Sequence, residues 1–285
     1  MKPAPFRYLL PHSLAEALAM KAEHGEETRF LAGGQSLVPA MNFRLAQPAV
    51  LIDLNALAGL DSIGEHEIGA LARNAAIEHD ATIARAQPLV HEAMPEVAHA
   101  QIRNRGTLGG NLANADPASE MPAVMLALGA RMRLRSLRGE RVVAAEEFFV
   151  GVYSTALAAD EMLVAIELPG RPARTGTAFL EIARRKGDFA LAGVAAVVTL
   201  DAAGVCTGAS WAYCNAGPRP IHCGAAARAI VGTRVTDADI AAAVALSQTA
   251  IEPTGNVHAS AAFQRHLAAV LTRRALRRAC ERAAR

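Results

Sequence analysis

Two double glycines, far apart along the chain, limit what it can fold into more than any other feature. The later one lies in residues 102–120. There Arg103, Asn104, Arg105, Gly106, Thr107, Gly109, Gly110, Asn111 and Asn114 interrupt two apolar, helix-like segments. Glycine admits positive φ and has no Cβ, so a turn at Gly109-Gly110 can bring backbone N–H groups against an anion. The earlier one follows the apolar run Phe30-Leu31-Ala32 and continues through Gly33-Gly34-Gln35-Ser36-Leu37, with Ser36 placed to cap a short helix. The free N–H groups at a helix start favour negative charge. One such pair alone marks a plain turn more often than a binding site, whereas two can close on a single diphosphate. Neither fits GxGxxG or GxxxxGK(S/T), so no Rossmann or P-loop scheme is implied.

Composition narrows the classes of partner. With 285 residues, 52% apolar and 20% charged, the chain can bury two or three cores. Twenty-nine basic against 27 acidic residues leave a net charge of +2, and aromatics make up only 4%, so a nucleic-acid partner is not indicated. Cys206, Cys214, Cys223 and Cys280 show no CxxC spacing, which argues against an iron–sulfur cluster, a zinc site or a disulfide framework in this chain. The histidines show no HxxH or HExxH pattern, and no metal site is expected. The N-terminus lacks a signal-like apolar run and no segment reads as a membrane span. A cytoplasmic location is the expectation.

In chain order, residues 6–9, 28–32 and 50–54 read as strands around a helix at 14–22, a small lobe with a parallel sheet. Short strands near 61–63 and 67–71, a helix over 78–86 and another after Pro88 lead to the second double glycine. Pro117 opens a helix through Leu128, and residues 132–135, 142–143 and 162–168 give a second, mostly β lobe. The arginines of 132–135 are expected to be solvated. A boundary falls in 169–175, after which 176–183, 191–201 and 205–214 form an antiparallel sheet, followed by helices at 225–231, 237–249 and from 259 onward. The last helix spaces Phe263, Leu267, Val270, Leu271 and Leu276 along one face, its arginines mostly elsewhere. The expected units are residues 1–55, 56–172 and 173–285.

Four segments together carry a family resemblance: Ala32-Gly33-Gly34-Gln35-Ser36, residues 102–111, Glu161-Met162-Leu163 with Pro169, and Arg184-Arg185-Lys186-Gly187-Asp188-Phe189-Ala190. Over its whole length the chain resembles the FAD-binding medium subunit of the molybdenum hydroxylases, the family of carbon monoxide dehydrogenase, xanthine dehydrogenase and N-heterocycle hydroxylases. The resemblance implies an α+β fold: a two-lobed FAD-binding domain of the vanillyl-alcohol-oxidase type, a small βαβ lobe plus a larger mixed or antiparallel lobe. A C-terminal domain with a three-stranded antiparallel sheet and helices follows.

It also implies FAD between the lobes. Backbone N–H groups of Ala32, Gly33, Gly34, Gln35 and Ser36 and of Thr107, Leu108, Gly109, Gly110 and Asn111 would hold the pyrophosphate, with Leu31 and Leu37 padding the cofactor. Glu120 stands where relatives have an Asp facing the cofactor's polar chain, Leu163 would pack apolar parts of it, and Phe189 stands where relatives often carry Tyr beside the isoalloxazine. Phe can cover a ring face but cannot donate a hydrogen bond. Arg103 and Arg105 invite either a phosphate contact or a bracing role. The implied partners are a large molybdenum–pterin subunit and a small subunit with two 2Fe–2S clusters, in a dimer of heterotrimers. This chain would relay electrons through a non-covalent flavin without catalytic residues of its own. Two alternatives are a self-sufficient flavoprotein oxidoreductase and an assembly subunit that keeps the fold without flavin. The lack of an acid–base constellation argues against the first and the intact glycine segments against the second.

Overall fold

The computed structural model describes residues 2–285. In the first lobe β1 (Arg7–Leu9), β2 (Thr28–Leu31) and β3 (Val50–Asp53) form a parallel sheet in the order β1-β3-β2. Helix α1 (Leu14–His24) starts where the Ser13 hydroxyl accepts the Glu16 N–H at 3.1 Å and the Glu16 carboxylate accepts the His12 N–H at 2.7 Å. It buries Ala17 and Leu18 against Val50 and Ile52. Helix α2 (Leu37–Asn42) follows the first double glycine.

The second lobe carries an antiparallel sheet of β4 (Glu67–Gly69), β5 (Arg131–Ser136), β6 (Gly139–Ala144) and the later strand β9 (Met162–Glu167), in the order β4-β9-β5-β6. It also holds more helix than its sequence pattern indicates: α3 (Asn74–His79), α4 (Ala81–Ala86), α5 (Pro88–Ala93), α6 (Ala100–Arg103), α7 (Leu108–Asn114), α8 (Glu120–Leu128) and α9 (Ala145–Phe148). The helix expected over 78–86 is broken at Asp80, whose carboxylate accepts the Ile83 N–H at 2.9 Å and so caps a new helix. Residues 61–63 contribute only an isolated bridge from Ile63 to Ile68. Pro117 lies in a turn, and α8 begins three residues later behind Ser119. A hairpin of β7 (Phe149–Gly151) and β8 (Ser154–Thr155) precedes β9 (Met162–Glu167). The β5 arginines are paired rather than merely wet: Arg133 reaches Glu67 at 2.7 Å and Glu167 at 2.8 Å.

Beyond the second lobe, β10 (Thr175–Ala183), β11 (Ala190–Leu200) and β12 (Cys206–Cys214) form the three long antiparallel strands, with β13 (Ile221–His222) adding a short edge. Helices α10 (Gly224–Ile230), α11 (Asp237–Ser247) and α12 (Ala261–Ala283) complete the chain. Both faces of this sheet are covered. Ala195, Ala212 and Cys214 belong to the core they share with Met121, Val124 and Met125 of α8, whereas Val194, Ala196, Trp211 and Tyr213 pack with Leu271 and Leu276 of α12. This is the two-residue period of a strand put to use on both sides. On α12 the buried face is completed by Ala268, Ala275 and Ala279, while Phe263 is exposed and stacks on His266. All four cysteines are free, and burial raises the pKa of each thiol. Among the described residues no helix is long and apolar enough to cross a membrane.

Candidate functional site

Strand β2 ends at Leu31 and delivers the chain into Ala32-Gly33-Gly34-Gln35-Ser36, which turns and enters α2. Two backbone facts require glycine here. A Cβ on Gly33 would stand 2.7 Å from the Gly106 Cα, and Gly34 sits at φ +74°. The first turn therefore lies directly on Arg105-Gly106, the residues that lead into the second double glycine. Ala32 also faces Gly110, whose added Cβ would lie 3.7 Å from that of Ala32.

The backbone N–H groups of Gly33, Gly34, Gln35 and Ser36 have no acceptor among the described residues. Ser36 occupies the cap position of α2, yet its hydroxyl makes no capping hydrogen bond. Gly33, Gly34 and Gln35 border a cavity of about 300 Å³ lined by Leu31 to Gln35, Val38, Pro39, Asp53, Asn55 and Arg105, while Ser36 and Leu37 are not part of its lining. Leu37 follows at the start of α2.

The second double glycine departs from its expected form. Gly109 and Gly110 lie in the first turn of α7, not in a loop, and Thr107 caps that helix by accepting the Gly110 N–H at 3.1 Å. The Leu108 N–H donates to Ala72 O at 3.1 Å, Gly109 N–H to Ala70 O at 2.9 Å and Asn111 N–H to Thr107 O at 3.0 Å. Amides 108–111 are thus already engaged, which corrects the expectation that they are offered to a phosphate. A Cβ on Gly109 would press on that of Ala70 at 2.5 Å, so this glycine serves close packing. What the segment presents to Ala32 is the bare backbone of Gly110, while the Asn111 Oδ1 accepts the Ser119 hydroxyl at 2.9 Å.

Glu120 follows Ser119 and is 4% exposed. Burial, helped by the charges of Asp116 and Glu96, pushes its pKa up to about 8. Glu181 on β10 is raised to about 8 by burial and by Glu120. Near neutral pH Glu120 is therefore an O–H donor rather than a carboxylate. Leu163 is not brought to the cavity. It is 6% exposed and pairs with Leu134 in the second-lobe core, while its neighbours Met162 and Val164 face the first lobe. One step of strand alternation decides this. Phe189 is 65% exposed, at the end of the β10–β11 loop whose Gly187 abuts His99.

Structure also separates the two arginines. Arg103 is buried as a brace, with Nε 2.7 Å from Glu78 Oε2 and further bonds to Val97 O and Ala98 O, and its hydrogen bond holds the Glu78 carboxyl below its usual pKa. Arg105 lines the cavity. Sequence reasoning missed the network that joins the two turns. Asn55 Nδ2 donates to Ala32 O at 3.0 Å, and Arg73 donates to Arg105 O and to Asn55 Oδ1. Asp53 accepts from Tyr8 OH and from Asn55 N–H at 2.9 Å. Burial works to raise the Asp53 pKa, but these bonds and the Arg105 charge outweigh it and hold the carboxylate low. Its members are scattered between positions 8 and 105, so no local pattern announces them.

Residues 4–171 match the family profile for the FAD binding domain in molybdopterin dehydrogenase, and residues 177–279 match that for the CO dehydrogenase flavoprotein C-terminal domain. The chain belongs to the FAD-binding medium subunits of the molybdenum hydroxylase family. This medium subunit is 42% identical over 288 residues to the caffeine dehydrogenase subunit beta of Pseudomonas sp. (strain CBB1), covering 99% of this chain and 97% of that one. It is 38% identical to the carbon monoxide dehydrogenase medium chain of Afipia carboxidovorans, covering 99% of each. In structure it superposes on reconstituted CO dehydrogenase from Oligotropha carboxidovorans with a TM-score of 0.96 at 37% identity, covering 99% of this chain and 100% of that one. The two-lobed flavoprotein fold with its C-terminal domain and the oxidoreductase class follow from membership, and the cofactor of the medium subunit is FAD.

Proposed function

We propose that this medium subunit relays electrons within a heterotrimer. It takes them from the 2Fe–2S clusters of a small partner subunit, which drains a large molybdenum–pterin subunit, and hands them through FAD to an external acceptor. The complex is a cytoplasmic dimer of such heterotrimers. Units 1–55 and 56–172 hold the flavin and 173–285 closes its far side. The observation that carries this is the contact of the first double glycine with Arg105-Gly106, beside a cavity bordered by free amides, in a chain that matches its relatives over 99% of its length.

The donor set fits the group. N–H groups of Gly33 to Ser36 suit phosphate oxygens, and Leu31 supplies apolar padding, with Leu37 at the start of α2 as a further candidate. Thr107 to Asn111 would approach the ligand from the side of Ala32, which Gly110 faces. Glu120, uncharged near neutrality, can donate a hydrogen bond to a polar ligand chain. Phe189 offers an exposed ring face and no donor. Bound FAD supplies the redox chemistry, while this chain binds it and orients it. Neither glycine segment contains His or Cys, so the flavin is held without a covalent bond.

Co-purification with companions from the native host tests the proposal. Flavin and iron–sulfur absorption, flavin released on denaturation, and flavin reduced by substrate only when the companions are present are expected. Protein that stays colourless after FAD addition, or substrate turnover by this chain alone, overturns it.

A further inference from the structure

The cavity beside the first glycine turn has an electrostatic imbalance that its backbone amides do not resolve. Asp53 lines it and is held ionised, so a diphosphate entering the same space meets a like charge. Arg73 carries positive charge nearby, but it is half-buried and its guanidinium is committed to Arg105 O and Asn55 Oδ1. Burial, followed by repulsion from Arg105, lowers the Arg73 pKa, so the two cations crowd one another. Arg105 differs. Its side chain is exposed, and among the described residues its guanidinium has no hydrogen-bond or ion-pair partner, although its backbone is fixed by Arg73 on one side and by the close approach of Gly33 on the other. A fixed backbone with a free planar cation at its edge is suited to a phosphate, since guanidinium presents paired N–H donors to such oxygens.

We propose that Arg105 is a direct ligand of the FAD diphosphate, supplying the charge that reverses the repulsion from Asp53, with Arg73 and Asn55 as positioning residues that hold the Arg105 backbone against the first turn. This rests on the FAD reading above. It assigns a role to a side chain adjoining the glycine motif, where the motif itself supplies only backbone.

Full-length chain freed of flavin is titrated with FAD, following flavin fluorescence at low and moderate salt, for the wild type and for Arg105→Gln, Arg105→Lys and Arg273→Gln. The last replaces an exposed arginine on α12. Loss of a charge-assisted contact weakens FAD binding in Arg105→Gln by about tenfold or more. The variant also shows a shallower salt dependence, because the screened attraction has been removed. Arg105→Lys falls between, and Arg273→Gln matches the wild type. Melting temperatures unchanged in all three show that folding is not the cause, as expected for a side chain without internal bonds. Wild-type affinity in Arg105→Gln, or an equal loss in Arg273→Gln, overturns the assignment while leaving the FAD reading standing. A wild-type chain that fails to bind FAD overturns the reading and the assignment with it.

Discussion

The two double glycines look alike as text and do different physical work. At Gly33-Gly34 the chain leaves regular structure, one residue takes positive φ, and amides 33–36 are left without internal acceptors. At Gly109-Gly110 the chain is helical, amides 108–111 are bonded, and the missing Cβ lets α7 rest on Ala70. The difference teaches that a glycine pair reports close approach, and only the hydrogen-bond ledger of each pair tells whether a ligand or the protein itself is what approaches.

Four experiments break or sharpen this contrast. Gly33→Ala places a methyl against the Arg105-Gly106 backbone, which cannot yield as a side chain would. FAD affinity is expected to drop by about a hundredfold, equivalent to about 2.7 kcal/mol, because the two turns must separate. Fluorescence titration reads this, and unchanged binding would break the idea that their contact builds the site. Gly109→Ala is expected to cost about 1–3 kcal/mol of stability in urea, as overpacking does, while folded protein keeps its FAD affinity within about threefold. A selective loss of affinity instead would put both turns in the same role.

Glu120 extends the comparison to pH. Its carboxyl pKa is about 8 when folded against an ordinary value of 4.5, so between those values the folded state holds a proton that the unfolded chain has released. The stability this group contributes is therefore full below about pH 4.5 and declines as pH rises toward 8. Glu120→Gln should flatten that slope by at most about 1.4 kcal/mol per pH unit, measured from urea midpoints across the range. An unaltered slope would place the titration elsewhere, with Glu181 the next group to replace. Smallest of the four, Thr107→Ala removes the cap from α7 and should cost about 1 kcal/mol, largely restored by Thr107→Ser.

Much of the first lobe was legible in the sequence, because β3 is a short apolar run and β1 and β2 are brief segments set off by a capped helix and by glycine. The long strands of the C-terminal sheet were legible for the same reason. Gly109-Gly110 was not, since glycine disfavours helix and only the Ala70 contact and the Thr107 cap, both invisible in linear order, override that preference. Leu163 illustrates another limit. In a strand as uniformly apolar as Met162-Leu163-Val164-Ala165-Ile166, nothing polar marks which face meets which core. Arg103 and Arg105 share one segment, and their separation into a buried brace and a free cation depends on Glu78, twenty-five residues before Arg103.

The sheet of β10, β11 and β12 is a wall with a furnished room on each side, and that has a consequence for how the protein comes apart. Cutting the chain near residue 172 would leave Ala195, Ala212 and Cys214 facing water on one fragment and α8 uncovered on the other. Neither piece would be a finished object. Heating should therefore melt the flavin-holding half and the C-terminal half together, in one cooperative step.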